Sequence, residues 1–556
     1  MRGLMMNTPL LVSAIARHAE RNFADREIVS VTHDVPVHRY RYRDCFRRAR
    51  QLANALDKLA LSRGDRVATL AWNDHRHLEC YYGIGGAGYV CHTINPRLFA
   101  EQIAFIINHA EDRWLFTDPL FIPLLEKLSE QIPAVEGFVV LTDDKHMPKT
   151  TLRKAISYET LIDGESDDYD WPELDENDAV ALCYTSGTTG DPKGVLYSHR
   201  STLLHAYAAV APDVLNLSNR DCVLPVVPLF HVNAWGVPYS SLMVGAKLVL
   251  PGPKMGDGQA LYELLESEGV TTALGVPTIW STLLQYCAKA GKRLDKLQRT
   301  CIGGAAVPES MIREFRDRHD VVVHQGWGMT ETSPLGVCNS AKAGMESLPA
   351  DEQLRIKTKA GRGIFGVEIR IVDDEGKELP WDGESFGALQ VRGPWVCSDY
   401  FRLEGQSETH KNGWFDTGDV GTIDPQGYLQ ITDRTKDVIK SGGEWISSIQ
   451  VENVAVGHPA VAQAAVIGVA HEKWLERPLL IVIKAEGMEV SKDEILAWFD
   501  GKIAKWWLPD DVVFVDTIPY TATGKIKKTE LRKQFANYRL PAQASRTDAQ
   551  QRNEHV

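Results

Sequence analysis

The sequence predicts an α/β protein: a large N-terminal domain of two α/β subdomains with a small β-barrel-like subdomain, followed by a small α+β C-terminal domain. Three observations carry this expectation. The chain has 556 residues, too many for one hydrophobic core. Its first third alternates short apolar runs with helical spacing, the punctuation of a parallel sheet. From about residue 360 the pattern turns to alternating apolar and polar residues, which suits antiparallel strands.

Taken in order, the short apolar stretch 10–16 lies among Arg17, His18, Glu20 and Arg21, which fits an amphipathic first helix and not a secretory signal. Segments 66–72, 89–94 and 114–117 read as strands, with helical patterns over 77–87 and 99–110. A second set of strands falls at 223–227, 272–276, 300–302 and 321–323. The barrel-like part includes 367–372 and 387–391. After Asp433 strands are expected at 461–469, 478–485 and 511–516, and Ser491 with Glu494 makes a capping box opening a helix that runs toward Trp506. Residues after about Tyr538 are polar and read as a disordered tail.

Bulk composition narrows the function. The hydrophobic fraction of 44% and charged fraction of 24% are ordinary for a globular protein. A net charge of −13 argues against a nucleic-acid partner, so any phosphate site has to be locally positive. The nine cysteines are scattered, without a CxxC, and read as reduced cytoplasmic thiols. No run of 18 apolar residues offers a membrane span, and residues 552–556 carry no peroxisomal tripeptide.

One string, TSGTTGDPKG at 185–194, carries the chemistry. It follows an apolar run, 179–184. Glycines let successive backbone N–H groups turn toward one anion, the hydroxyls of Thr185, Ser186, Thr188 and Thr189 add donors, and Lys193 brings a point charge. With Gly187 and Gly190 these residues make a phosphate cradle. It is not the P-loop of kinases and GTPases, because Lys193 follows Pro192 and precedes Gly194.

The string matches the signature of the adenylate-forming, or AMP-binding, enzymes, and the resemblance extends over about residues 10–530. It continues through PVVPLFHVNAWG (225–236), IGGAAVP (302–308), GWGMTE (326–331), GWFDTGD (413–419), DRTKDVIKSGGEWIS (433–447) and TATGKIKK (521–528). Within that family the chain resembles the bacterial acyl-CoA synthetase branch of medium-chain fatty-acid–CoA and 3-(methylthio)propionate–CoA ligases, through CHTINPRLF (91–99), SHRST (198–202) and KSGGEWIS (440–447). It departs at Val307, where cysteine is common, and at His324–Gln325–Gly326, where His–Ala is usual; both changes bear on the substrate more than on the reaction.

The resemblance implies ATP, Mg2+ and coenzyme A, with a carboxylic acid activated as its adenylate and passed to a thiol. Lys525 falls at the position of the catalytic lysine, and an ammonium there would bridge carboxylate and α-phosphate. Thr330 is implied at the α-phosphate, and Glu331, a hard oxygen ligand, at magnesium together with Thr185. Trp327 is implied against the adenine face, with Gly304, Ala305, Ala306, Gln325, Gly326, Gly328 and Met329 around the nucleotide. Asp419 and Arg434 are implied at the ribose. His231, Trp235, Gly236, Gly303, Gly304 and Ala305 would line the acyl pocket, where no Arg or Lys awaits a second carboxylate. That predicts a monocarboxylic acid with an apolar body.

Lys436 is implied as a hinge, dividing the chain into 1–433, a hinge at 434–437, a mobile lid at 438–535 and a tail at 536–556. The stretch Lys440, Ser441, Gly442, Gly443, Glu444 and Trp445 would meet the pantetheine arm once the lid turns. A homodimer in the cytoplasm is expected. The rival readings are a carrier-loading adenylation domain, for which no carrier follows, a luciferase-type oxidation, for which Lys440 matches, and a non-catalytic acyl-adenylate binder, which would be expected to lack Lys525 or Glu331.

Overall fold

The computed structural model describes residues 1, 3–185, 191–403, 407, 409–441, 444–521 and 525–541, with backbone alone at 444–445. Among the described residues the strands form three sheets. The first runs in the order Ile156–Ser157, Gly137–Val140, Trp114–Thr117, Arg66–Leu70, Val90–Thr93, Ala179–Tyr184 and Gly194–Ser198. All its pairings are parallel except the last, a hairpin between the two strands that flank the TSGTTGDPKG string. The runs 66–70 and 114–117 are almost continuously apolar because helices cover both faces, as in parallel sheets generally.

The second sheet is longer and changes character along its width. Glu27–Ser30, Lys247–Leu250, Cys222–Pro225, Thr272–Gly275, Arg299–Ile302 and Val322–Gly328 pair in parallel. Val322–Gly328 is then antiparallel to Leu335–Cys338 at its far end, and the sheet continues through Gly361–Gly363, Tyr428–Arg434, Trp414–Ile423, Gly387–Arg392 and Glu368–Val372. The barrel-like part expected from residue 360 is thus an antiparallel extension of the second α/β sheet, joined through one strand. Bulges between Trp327 and Gly328 and between Val420 and Gly421 bend it, as extra residues in a ladder do.

The third sheet is built by Glu444–Ile446, Ile439–Ser441, Leu475–Lys484, Val461–His471 and Asp511–Phe514. Alternation along its strands sends Val466, Leu480 and Val482 to one core with Phe499, and Ile467, Leu479 and Ile481 to another with Leu531. Each such buried side chain contributes about 1.5–3 kcal/mol.

Two expectations need correction here. Ser491 and Glu494 do form the capping box, but the helix is Lys492–Trp498, not a run toward Trp506. Gly501 turns the chain with φ +69°, a conformation that ends helices, and Lys505–Trp507 is a separate short turn. Residues 536–541 belong with the packed structure: Tyr538 donates to Asp511, and Leu540 is buried in the second core of the small unit. Residues 542–556 lie outside the described residues.

Candidate active site

Ligand crevices in open α/β sheets lie beyond the carboxyl ends of the parallel strands. Here both sheets aim those ends at one cavity of about 1320 Å³. Thr185 follows Ala179–Tyr184, and Arg97 lies three residues beyond Ile94. From the second sheet come Val226 to His231, Val276, Gly303 and Gly304, and Gly326 to Glu331. The small unit closes the cavity with Tyr520, Thr521 and Lys525 to Lys528. Among the described residues nine lysines and arginines line it against five carboxylates, the reverse of the acidic balance of the whole chain.

Thr185 and Lys193, on either side of 186–190 in the sequence, bond to each other. Thr185 N donates to Lys193 O at 2.9 Å, and Lys193 N donates to the Thr185 hydroxyl at 3.2 Å. Ser186, Gly187, Thr188, Thr189 and Gly190, expected at the phosphates, lie outside the described residues. The Lys193 ammonium sits 4.7 Å from the centre of the Tyr400 ring. Tyr400 in turn donates to Glu331 Oε1 at 2.8 Å. Glu331 is buried, which pushes its carboxyl above the ordinary value, while the Tyr400 hydrogen bond pulls it back. Tyr197 donates to Thr330 O at 2.7 Å and fixes the adjoining turn.

Asp419 stands opposite Arg434 in the antiparallel ladder, and the two pair at 2.9 Å. Trp327 Nε1 donates to the other oxygen of Asp419 at 2.8 Å. The carboxylate therefore orients the indole and the guanidinium, and each oxygen keeps one lone pair for a further donor. Asp419 itself is buried behind the lining, whereas Trp327, Gly328, Met329 and Arg434 reach it.

Ala209, Val214, Leu215, Leu274, Cys301, Val337 and Cys338 make an apolar arm of the lining. The lining residues Val232 and Trp235 belong to an unusual backbone. Val232 to Trp235 all have positive φ, +46° to +55°, followed by Gly236 at +75°. Left-handed non-glycine residues cost roughly 1–2 kcal/mol each, so this turn needs outside support. Buried Asn233 supplies it, accepting from Tyr81 and from Cys183. The turn lays Trp235 against Gly303, where a Cβ would come within 3.1 Å of the indole. His231 and His205 border the cavity, and burial lowers both imidazoles to about 4.

Several residues expected here stand elsewhere. Ala305 is exposed and Ala306 half-exposed, both off the cavity lining, because the chain turns outward after Gly304. Gly236 packs on the His205 ring behind the wall, and Gln325 is buried within its strand. Val307 lies in the core with Ile302 and Met311, not beside the arm.

The small unit brings Lys525 into the cavity, half-buried. Burial and Arg434 push its ammonium below the ordinary value, while Asp419 and Glu331 oppose that. Thr521 N donates to Lys525 O at 2.6 Å, and the Thr521 hydroxyl accepts from Lys525 N at 3.0 Å. Lys436 also lines the cavity, beside Thr435, whose N–H and hydroxyl both donate to Gly418 O. Lys440 and Ser441 do not reach it: Lys440 N donates to Glu476, and Ser441 is buried against Arg477. Gly442 and Gly443 lie outside the described residues, and Glu444 and Trp445 are described only as backbone in a strand.

Sequence reasoning missed Tyr400, Tyr197, Arg97 and His205. Tyr400 is 69 positions from Glu331 in a segment without periodicity. It reaches the site because Phe401 bridges to Gly194, Phe401 N donating to Gly194 O at 2.8 Å.

Comparison with known proteins agrees with this geometry. Residues 15–401 match the model of the AMP-binding enzyme family, and residues 450–525 match that of the AMP-binding enzyme C-terminal domain. The chain belongs to the AMP-binding enzymes, and within them it is an acyl-CoA ligase. It is 53% identical to the 3-methylmercaptopropionyl-CoA ligase of Ruegeria lacuscaerulensis, covering 96% of this chain and 99% of that one. It is 50% identical to the medium-chain-fatty-acid–CoA ligase of Ectopseudomonas oleovorans, covering 98% and 100%. Among solved structures, the anthranilate CoA ligase AuaEII in complex with anthranoyl-AMP superposes with a TM-score of 0.84 at 25% identity, over 95% of this chain and 98% of that one. No helix among the described residues is long and apolar enough to cross a membrane.

Proposed function

We propose that this acyl-CoA ligase activates short- to medium-chain fatty acids with ATP and transfers them to coenzyme A. One observation carries the reading. A lysine from the small unit, Lys525, shares a cavity with Lys193, Thr330 and Glu331 at one end and an apolar arm at the other. An acid lying in the arm points its carboxylate at the place where the Lys525 ammonium and a nucleotide α-phosphate meet. The carboxylate oxygen attacks that phosphorus, the bond to the β-phosphate oxygen breaks, and diphosphate leaves with its electron pair. Lys525 holds the two approaching anions together and offsets charge in the transition state. A thiol then attacks the acyl carbon, its proton is lost, and AMP leaves.

Lys193 and the glycine-rich string take the β- and γ-phosphates in this reading. Trp327 faces the adenine, and Arg434, held by Asp419, faces the ribose. The oxygens of Glu331 and Thr185, both in the cavity lining, suit a hard divalent cation. Magnesium bound there would neutralise the phosphate charge.

We divide the chain at 434–437, because Tyr428–Arg434 pairs in the large sheet and Ile439–Ser441 in the small one. Nine free cysteines, eight of them buried, suit a reducing cytoplasm. A homodimer follows from the resemblance and is checked by light scattering on the purified chain. The second reading is 3-(methylthio)propionate as substrate, favoured by the relative at 53% identity.

Carboxylate-dependent ATP–diphosphate exchange tests the first step, and CoA-dependent release of AMP tests the second. A panel of propionate, methylthiopropionate, butyrate, octanoate, palmitate and cinnamate, compared by kcat/KM, decides the acid. Absence of exchange with every acid would overturn the reading.

A further inference from the structure

Asp433 ends the large unit's share of the chain, opposite Val420 in the big sheet. Its carboxylate is 2% exposed. Apart from the adjacent Arg434 N–H, its partners all come from the small unit. Oδ2 accepts from Ser448 N at 3.0 Å and from the Ser448 hydroxyl. Oδ1 lies 3.9 Å from Lys528 Nζ. Lys528, 8% exposed at the start of helix Lys528–Gln534, also donates to the Ser448 hydroxyl and pairs with Glu452 at 2.9 Å. A single ammonium therefore joins a carboxylate of the large unit to one of the small unit. A second crossing lies beside it, where the Ser447 hydroxyl donates to Thr432 O at 2.5 Å.

Burying charges is costly, and an apolar set of similar volume serves stability as well or better. What the ionic set adds is geometry, since its pairings are satisfied together only when the two units sit in one relation. That relation bears on Lys525, three residues before Lys528. Lys525 is bonded to Thr521, and its near neighbour Lys527 donates from N to Pro519 O at 2.8 Å, so Lys525 is held by described residues on both sides of it in the sequence. Lys528, next to Lys527, links this part of the chain to Asp433 at 3.9 Å.

We propose that Lys528 and Asp433 are positioning residues, a buried tie across the 434–437 segment that holds Lys525 at the reacting end of the cavity. The proposal rests on the role given to Lys525 above. The tie acts only through Lys525, so it serves the step in which carboxylate meets α-phosphate and leaves thiol transfer alone.

Asp433→Asn keeps the shape and weakens the tie, Lys528→Met removes it, and Lys528→Arg retains the charge. Three quantities are measured on the full chain: ATP–diphosphate exchange, thioester formation from supplied acyl-adenylate, and labelling of Lys525 by an amine-acylating reagent without substrates, read by mass spectrometry. Exchange should fall about 100-fold in Asp433→Asn and Lys528→Met, the scale of a misplacement near 1 Å. Thioester formation should stay close to the unsubstituted chain, Lys525 labelling should rise, and Lys528→Arg should recover most of the exchange. Unchanged Lys525 labelling in both Asp433→Asn and Lys528→Met overturns the tie whatever the activities do. Parallel loss of both half-reactions overturns it as well, since that is what general damage to the fold would cause. Should the unsubstituted chain show no exchange with any acid, the ligase reading fails, while labelling still reports on the tie.

Discussion

Filling the cavity at Gly326 should shorten the acids the enzyme prefers. Gly326 lines the arm from an ordinary strand position, between Cys301 on one neighbouring strand and Val337 and Cys338 on the other. A Cβ built there meets the Cys301 sulfur and Val337 O at 3.7 Å each, which is ordinary contact. Two other glycines of the lining have no such room: at Gly303 a Cβ would lie 2.9 Å from Gly326 O, and at Gly328 1.6 Å from Pro334 O. Gly326→Val therefore adds three carbons to the arm without strain on the backbone. If those carbons displace about three substrate methylenes at about 0.8 kcal/mol each, the loss is about 2.4 kcal/mol, roughly 60-fold in kcat/KM. Gly326→Ala, with one carbon, should cost about fourfold on the same scale. The assay is kcat/KM for octanoate against butyrate at saturating ATP and CoA. Octanoate should lose ground to butyrate in the order Gly326, Ala, Val. An equal fall for both acids, with their ratio fixed, would refute the placement of the acyl chain along this strand.

Other expectations follow from the same geometry. Lys525→Ala should lower ATP–diphosphate exchange by about 100-fold or more while still converting supplied acyl-adenylate to thioester; equal loss of both would remove Lys525 from the first step. Lys525 has to be protonated to bridge two anions, and burial lowers its value, so kcat/KM for exchange should decline on the alkaline side below the range of a free lysine. Lys525→Arg should move that decline out of reach, and a profile identical in the two proteins would exclude Lys525 as its source. Tyr400→Phe removes the hydrogen bond to Glu331 but keeps the ring under Lys193, so the magnesium dependence of exchange should weaken while the KM for the acid holds. His205 is buried with its value lowered to about 4, so the folded chain binds fewer protons there than the unfolded chain between pH 4 and 6.5. Its stabilising share is complete above about pH 6.5 and is lost as pH falls toward 4. The stability gap between the native chain and His205→Gln, from denaturant titrations, should therefore narrow by about 3 kcal/mol over that interval. A gap that stays constant would show that His205 is not held neutral.

Much of this was readable in the residues because the site sits where strands end. The apolar runs locate the strands, and GWGMTE, IGGAAVP and LFHVNAW each follow one, so their convergence is a property of parallel topology. The Ser491–Glu494 box likewise announced its helix by purely local chemistry. What stayed hidden depends on long-range closure. Tyr400 joins Glu331 only because Phe401 pairs with Gly194, and no spacing encodes that. The left-handed run at 232–235 goes against the preference of its own residues and exists because Asn233 is anchored from two other elements. Ala305 and Ala306 look like pocket residues by size, yet the chain has already turned outward when it reaches them.

The strand Val322–Gly328 is held in common by the parallel and antiparallel parts of its sheet. It acts as a shared axle. A lesion far out among the antiparallel strands, too mild to melt the protein, would still tilt the indole and the carbonyls at its inner tip. Damage remote from the cavity should then show itself first as poor aim at the nucleotide, and only later as loss of fold.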